Sequence, residues 1–274
     1  MHRAAIALAA LVLLGQVQAG VARGAGDAPI AVIAIIIDDL GNNLAEGQRT
    51  VRLPGPVACA ILPQTPYAQR LARTAHNNNK EVILHLPMES VESDALGPGG
   101  LDSKMRAFDI IVTLNKDLQT VPLAVGISNH MGSLLTQRRQ PMEWLMQAIT
   151  NRGDLFFVDS RTTPQTVAAT VAREVELPHL ERDVFLDNDQ QLSSIRTQFA
   201  ILLDTAREYG SALALGHPYP ETLAFLERKL PDLENSGVRL VTLSKLLSMR
   251  SAKRASLRTS AILRIVRGGA KSAH

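Results

Sequence analysis

The sequence has a single cysteine, Cys59, and aromatic residues make up only 4% of its 274 residues. One cysteine cannot form an intrachain disulfide, so the stability of the fold must come from a hydrophobic core. Cys59 lies inside the apolar run from Val57 to Leu62, which favours a buried small side chain over a catalytic thiol. The few aromatic side chains offer little stacking surface for bases or sugars.

Long apolar segments are also absent, apart from a short one at the amino terminus. The stretch from Ala4 to Leu14 follows a basic start at Arg3 and precedes small residues that end at Ala19. This pattern predicts a secretory signal peptide over residues 1–19, followed by a linker over residues 20–29. The apolar stretch is shorter than the roughly 20 residues that span a bilayer, which disfavours an uncleaved membrane anchor. We therefore expect an exported, periplasmic protein without a nucleic-acid partner.

Acidic residues are missing from the last part of the chain, residues 250–274, which holds seven Lys or Arg. Without this segment the net charge of +3 becomes about −4, so the basic character belongs to the carboxyl terminus. We expect a disordered basic tail there. In a second interpretation, the basic residues and the apolar patch from Ala261 to Val266 attract the tail to anionic lipid or polymer of the envelope.

A glycine-rich phosphate loop is absent after the first apolar run, which disfavours a dinucleotide-binding fold. Eight strand-like runs instead alternate with helical patterns, and they begin near Ile30, Val57, Glu81, Pro122, Asp154, Asp183, Ser211 and Val238. This alternation predicts a single α/β domain over residues 30–249, as a distorted or incomplete (β/α) barrel more than an open sheet. The longest gap contains Ser90 to Ser103, which is rich in glycine and predicts a loop over the active face.

Ionisable residues directly follow several of these predicted strands. They are Asp38 and Asp39, His85, His130, Asp159, Asp187 and His217. Because the carboxyl ends of parallel strands meet at one edge of the sheet, we expect these side chains to share one rim. Aspartates and histidines gathered in this way are typical of a metal-assisted hydrolase.

Asp38 and Asp39 are adjacent at a strand end, where consecutive side chains point in different directions. One of the two can therefore bind a metal while the other acts as a general base, although either could instead cap the following helix. His85 and His130 are the predicted histidine ligands, and each alone would more often be structural. Zn²⁺ suits this donor set, with Mn²⁺, Co²⁺ or Ni²⁺ as alternatives.

The remaining candidates have less specific surroundings. His217 either donates a proton to a leaving group or is a turn histidine before Pro218. Asp159 and Arg161 orient the histidines, or Arg161 binds substrate, or the two form a structural ion pair. Asp187 supports the site or caps a helix. Glu89 can contact substrate or metal, and the residue pattern does not decide between them.

Six stretches of the sequence carry a resemblance to a known family. They are Ile35-Ile36-Ile37-Asp38-Asp39-Leu40-Gly41, His85-Leu86-Pro87-Met88-Glu89, Asn129-His130-Met131-Gly132-Ser133, Phe157-Val158-Asp159-Ser160-Arg161-Thr162-Thr163, Arg182-Asp183-Val184-Phe185-Leu186-Asp187 and Gly216-His217-Pro218. With them the chain resembles the divergent polysaccharide deacetylase family, a branch of the NodB-like carbohydrate esterase and chitin deacetylase superfamily. The resemblance implies a distorted (β/α)7-type barrel in a single domain.

The same resemblance implies roles for the site residues. Asp38 corresponds to the base and Asp39 to a metal ligand, and His217 corresponds to the general acid. The second NodB motif has two histidines four residues apart, whereas this chain has His85 followed by Glu89. The missing histidine ligand would have to be His130, from the following strand.

The function that the resemblance implies is removal of acetyl groups from an N- or O-acetylated envelope glycan or peptidoglycan-like polymer. The mechanism would depend on a divalent metal, with Zn²⁺ expected. The altered second motif keeps an alternative open: a catalytically inactive barrel that binds envelope glycan or regulates a cell-wall enzyme. A metal hydrolase acting on another bond, such as a phosphoester, is a third hypothesis.

Overall fold

A computed structural model describes residues 30–92 and 95–269. The strands in this part of the chain are β1 Ala31–Leu40, β2 Ala58–Ile61, β3 Val82–Met88, β4 Ala124–Met131, β5 Phe156–Asp159, β6 His179–Glu181, β7 Val184–Phe185, β8 Ser211–Gly216 and β9 Val238–Leu240. The helices are α1 Leu44–Val51, α2 Ala68–Asn77, α3 Ala107–Thr120, α4 Arg139–Thr150, α5 Ala168–Glu174, α6 Leu192–Tyr209, α7 Pro220–Lys229 and α8 Leu243–Gly269. The predicted signal peptide and linker lie outside the described residues.

Strand β1 is the centre of the sheet. Its sequence, AVIAIIIDDL, is rich in β-branched isoleucine and is buried along nearly its whole length, as expected for a strand covered on both faces. Alternate residues face two different hydrophobic clusters: Ile33, Ile35 and Ile37 pack toward the surrounding helices, whereas Val32, Ala34 and Ile36 face the inside of the curled sheet.

All strand pairs in the sheet are parallel, in the order β6-β5-β4-β3-β2-β1-β8-β7, with β9 also paired to β1. The curl is incomplete between β6 and β7, where the chain passes from one edge of the sheet to the other. Arg182 N donates to Asp159 O on one edge, and the next residue, Asp183, donates from its N to Leu213 O on the other. The predicted single α/β domain with a distorted (β/α) barrel is confirmed.

Strand β6 was not predicted, because three residues after Pro178 are too few to show a periodic apolar pattern. The other predicted strand starts lie within about three residues of the observed ones.

Helix α8 closes the inner face of the curled sheet at the amino-terminal ends of the strands. Leu243 and Leu246 join the inner hydrophobic cluster, and the amide N–H of Leu243 donates to the carboxylate of Glu81, which immediately precedes β3. The opposite end, where the strands terminate, is left for the polar residues described below.

Helix α8 runs from Leu243 through Gly269 and so includes residues 250–269 of the predicted tail. The predicted domain boundary at residue 249 stays a prediction. No proline interrupts this stretch, and its glycines come only at positions 268 and 269. The Arg250 side chain also bonds to Asp183 and Ser211 of the domain. Residues 270–274 of the predicted tail lie outside the described residues.

Within residues 30–92 and 95–269, no helix is both long enough and apolar enough to cross a membrane.

Candidate metal centre and active site

The end of β1 places two adjacent carboxylates in different environments. Asp38 is buried, whereas the Asp39 side chain keeps about a third of its surface exposed. The backbone of Asp39 is in the left-handed region, with φ of 59°, which a residue other than glycine adopts at an energetic cost. The Asp39 carboxylate lies beside His85 of β3 and His130 of β4.

The histidines that Asp39 meets come from β3 and β4. The parallel register pairs His85 with Ser128 and Pro87 with His130. Because side chains on one face of a strand recur every second residue, His85, Ser128 and His130 share a face. The two imidazole rings lie with their centroids 5.1 Å apart.

Asp39, His85 and His130 offer three ligand atoms that all lie within 4.8 Å of one another. Asp39 Oδ1 is 2.8 Å from His130 Nδ1 and 3.2 Å from His85 Nε2. This oxygen is nevertheless buried without a hydrogen bond of normal geometry in the described part of the chain. His85 Nδ1 is 2.8 Å from Ser128 Oγ, and with Nδ1–H donating to that oxygen the lone pair of Nε2 is free. Two imidazole nitrogens and a carboxylate therefore fit a divalent cation such as Zn²⁺.

The electrostatics of the trio agree with a cation site. Burial opposes ionisation of Asp39, but the imidazoles of His130 and His85 outweigh it and hold the pKa of the Asp39 carboxyl far below its usual value. Burial also disfavours a charged His85, yet Asp38 and Asp39 raise the pKa of this imidazole above its usual value. The carboxylates attract positive charge to this point, and a divalent cation would supply it in place of a proton.

Asp38 has the surroundings of a general base. Its Oδ1 atom is buried, has no hydrogen-bond partner among the described residues and lies 3.7 Å from His85 Nδ1. Burial raises the pKa of the Asp38 carboxyl, more than the nearby histidines lower it. A carboxylate with a raised pKa and a free oxygen accepts a proton more readily than one that is solvated and fully bonded.

His217 lies beside Asp38 because β8 pairs with β1, with Gly216 aligned to Ile37. Its Nδ1 atom is 2.9 Å from Asp187 Oδ1, while Asp187 Oδ2 accepts hydrogen bonds from the His217 backbone N–H and from Thr222 Oγ1. Burial disfavours the charged imidazole, but Asp187 and the neighbouring aspartates raise the pKa of His217 to about 9. At neutral pH this imidazole carries a proton that it can donate.

The structure gives different roles to Asp159, Arg161 and Glu89. Asp159 accepts hydrogen bonds from Arg161 N and Thr166 Oγ1, which stabilises the turn after β5. Neither Asp159 nor the Arg161 side chain bonds to a histidine in the described ranges, and Arg161 lines a separate cavity with Arg250. The Glu89 carboxylate accepts a hydrogen bond from Ser103 N and thereby fixes the end of the long loop.

That loop lies at the active face, as predicted. Leu101 pairs with Met88 at the end of β3, and the stretch Ala95–Pro98 lines a cavity of about 250 Å³ together with His130 and Pro87.

Several residues of the site could not be identified from the sequence pattern. A narrow cleft of about 50 Å³ joins the candidate side chains and is lined by Asp38, His85, His130, Met131, Ser160, Thr162, Arg182, Phe185, Leu215 and His217. The sequence pattern assigns no role to Ser128, Ser160 and Arg182, because serine hydroxyls and a single arginine are common at strand ends. Only their position directly after or within predicted strands could have indicated them.

The fold and this rim of side chains define a NodB-like (β/α) barrel protein with an Asp/His cluster that could hold a metal. The family model of the divergent polysaccharide deacetylases matches residues 35–247, and the chain belongs to this family. It is 36% identical over 214 residues to an uncharacterized protein of Haemophilus influenzae, an alignment covering 78% of this chain and 76% of the relative. It is 37% identical over 216 residues to the uncharacterized protein YibQ of Escherichia coli, covering 79% and 67% of the two chains.

Solved structures show the same fold. An uncharacterized protein from Agrobacterium tumefaciens superimposes with a TM-score of 0.76 at 24% identity, covering 81% of this chain and 91% of the other. The peptidoglycan deacetylase PdaC from Bacillus subtilis superimposes with a TM-score of 0.50 at 14% identity, covering 84% and 96%. The predicted NodB-like barrel is confirmed by these likenesses.

Proposed function

We propose that this protein is an exported, metal-dependent hydrolase that removes acetyl groups from an N- or O-acetylated envelope glycan, such as a peptidoglycan-like polymer. The observation that carries the proposal is the convergence of Asp39, His85 and His130 beside Asp38 and the His217–Asp187 pair. Membership of the divergent polysaccharide deacetylase family supports the reaction type, and Zn²⁺ is the metal that the donor set favours.

The reaction uses a base and an acid, and both line the cleft. Asp38 accepts the proton of the attacking water through its free Oδ1 atom. His217, held protonated by Asp187, donates a proton from Nε2 to the departing amine or alkoxide. A divalent ion held by Asp39, His85 and His130 would supply Lewis-acid polarisation of the acyl carbonyl.

One observation favours a second function. The position where the NodB motif has its second histidine is Glu89 here, and its carboxylate bonds to Ser103 of the long loop. A site rebuilt with His130 could bind an acetylated glycan without hydrolysing it. In that case the protein would be a glycan-binding or cell-wall-enzyme regulatory barrel.

Export and envelope association form the part of the proposal that depends on sequence patterns. Export follows from the signal-peptide pattern of residues 1–19. Association with anionic envelope polymers follows from the basic residues after Met249.

The decisive experiment measures the metal content of the purified protein by elemental analysis, for the wild type and for Asp39→Ala, His85→Ala and His130→Ala. We expect about one zinc or similar ion per chain in the wild type and loss of the ion in each variant. Glu89→Ala is the matched control and should retain the metal, because its carboxylate lies outside the trio. A metal-free wild type, or metal unaffected by the three changes, would favour the binding function.

A second variant separates chemistry from metal binding. Asp38→Asn should keep the ion but reduce acetate release from acetylated glycans by about 100- to 10,000-fold, because the base is lost. Unchanged acetate release in this variant would contradict the assignment of Asp38.

A further inference from the structure

Ser160 has an uncommitted hydroxyl group inside the active cleft. The residue is 5% exposed, and its Oγ atom has no hydrogen-bond partner in the described part of the chain. It lines the same narrow cleft as Asp38 and His217. A buried hydroxyl without a partner is energetically unfavourable, and such groups are uncommon in folded proteins. Its place beside the catalytic pair suggests that substrate is the missing partner.

The backbone around Ser160 is fixed from both sides. Ser160 N donates to Asn129 Oδ1 at 2.9 Å, and Ser160 O accepts from Arg182 Nε at 2.6 Å. The next residue, Arg161, is held in the left-handed region at φ 50° by its N–H bond to Asp159 and by Arg182 Nη2, which donates to its carbonyl. Asp159 and Arg182 are therefore positioning residues, because they stabilise the turn that brings Ser160 to the lining of the cleft.

The other polar groups of the cleft have partners or defined tasks. Thr162 Oγ1 donates to Met131 O, Arg182 uses Nε and Nη2 on the turn, and His217 Nδ1 is paired with Asp187. An ionised Asp38 can only accept hydrogen bonds. Ser160 is thus the hydroxyl in this cleft that is free to donate to a carbonyl oxygen.

The size of the cleft limits which substrate groups can contact Ser160. The space is about 50 Å³, and Met131, Phe185 and Leu215 form its apolar walls. A volume of this size admits a group as small as acetyl and excludes a long acyl chain. A methyl group would contact the apolar walls while the carbonyl oxygen accepts a hydrogen bond.

We propose that Ser160 Oγ–H donates a hydrogen bond to the carbonyl oxygen of the substrate's acetyl group, and that this contact with the small cleft selects acetyl over longer acyl groups. The proposal rests on the proposed function and names the acetyl group as the part of the substrate that Ser160 contacts. The hydrogen bond strengthens as negative charge develops on the carbonyl oxygen during attack.

The test compares Ser160→Ala with Ser90→Ala. Ser90 is also 5% exposed and also has a buried hydroxyl without a partner among the described residues, but it lies outside the cleft. Two quantities are measured for each variant: acetate release from tetra-N-acetylchitotetraose, and the Kd of the same glycan in the Asp38→Asn background, where turnover is suppressed. Metal content and Tm are recorded to exclude a structural effect.

We expect Ser160→Ala to reduce kcat/KM about 10- to 100-fold and to weaken glycan binding about fivefold, with metal content and Tm unchanged. Ser90→Ala should match the wild type in both measurements. An active wild type with an equally active Ser160→Ala variant would overturn the role of Ser160 and leave the proposed function intact.

Two further outcomes separate the proposals. A wild type that binds the glycan without releasing acetate, with binding weakened only in Ser160→Ala, would support the Ser160 contact and overturn the hydrolase function. A wild type that neither binds nor hydrolyses the glycan would overturn both.

Discussion

At the scale of single residues, Asp187 determines what His217 can do. It is fully buried at the side chain and bonds to both the ring and the backbone N–H of His217. Burial would otherwise keep the imidazole neutral, but this pairing and the charges of Asp38 and Asp39 together outweigh it and raise the pKa of His217 to about 9. A group with a raised pKa contributes stability that is fully present below its ordinary pKa of about 6.5 and is lost as pH rises through about 9.

The same reasoning predicts a change in the pH profile of Asp187→Asn. Because His217 must be protonated to act as an acid, acetate release by the wild type should decline as pH rises through about 9. In the variant the decline should begin at lower pH, toward about 6.5, because the imidazole loses its carboxylate partner. The measurement is kcat/KM between about pH 6 and pH 10.

Asp189→Asn is the control for this profile, because its exposed carboxylate accepts hydrogen bonds from Gln191 N and from Ser194 Oγ in the first turn of α6. Coincident profiles of the wild type and Asp187→Asn would show that His217 is not the acid.

Backbone strain is also found at the active rim. Asp39, Met131 and Arg161 lie at or near the carboxyl ends of strands β1, β4 and β5, and all three have positive φ values of 50° to 59°. Each such conformation costs about 1 kcal/mol or more for a residue other than glycine. Hydrogen bonds of the surrounding residues maintain these backbone conformations at the cleft.

At the scale of secondary-structure elements, α8 joins the two edges of the incomplete barrel. Leu243 and Leu246 cover the inner face, and Arg250 reaches Asp183, the residue at which the chain changes edge. Arg250 also donates to Ser211 at the start of β8. The helix therefore holds together the region where β6 and β7 do not pair.

Arg250→Ala should lower the free energy of unfolding by about 1 kcal/mol, because it leaves Asp183 without its ion pair in a partly buried setting. Urea denaturation monitored by circular dichroism measures the change. Arg207→Ala is the control: its pair with Asp204 is much more exposed, so the loss should stay within about 0.5 kcal/mol. Equal effects of the two substitutions would show that α8 does not stabilise the edge.

At the scale of the whole molecule, β1 connects the two hydrophobic clusters and carries Asp38 and Asp39, the carboxylates of the candidate site. One edge of β1 pairs with β8. The other edge pairs with β9 near the start of β1 and with β2 near its end. The rigidity of the rim therefore depends on core packing along this strand. A loss of packing in β1 should reduce both stability and the precision of the site.

Ile35→Ala should reduce the free energy of unfolding by about 2–5 kcal/mol, because Ile35 is completely buried and the change leaves a cavity. Ile201→Ala removes the same atoms from a side chain that is 45% exposed on α6 and should cost less than about 1 kcal/mol. Chemical denaturation of both variants is the measurement, and similar losses would contradict the central position of β1.

Much of the fold and part of the site could be predicted from the sequence. The apolar run of β1 and the alternation of runs with helical patterns define the α/β class, since burial and periodicity are local properties of the chain. The apolar runs that begin β1, β3, β4 and β8 also lead to the candidates Asp38, Asp39, His85, His130 and His217, because parallel strands bring their carboxyl-terminal halves to one edge.

The tertiary structure alone decided the rest. The pairing of β1 with β8 places His217 beside Asp38, and the register of β3 with β4 puts His130 on the same face as His85. The backbone of Ser160 is held by hydrogen bonds to Asn129 and to Arg182, where the chain changes edge of the sheet. These residues are about 20 to 30 positions from Ser160 in the chain. Such contacts have no periodic signal in the sequence, because they are set by which strands become neighbours and not by the pattern within any one of them.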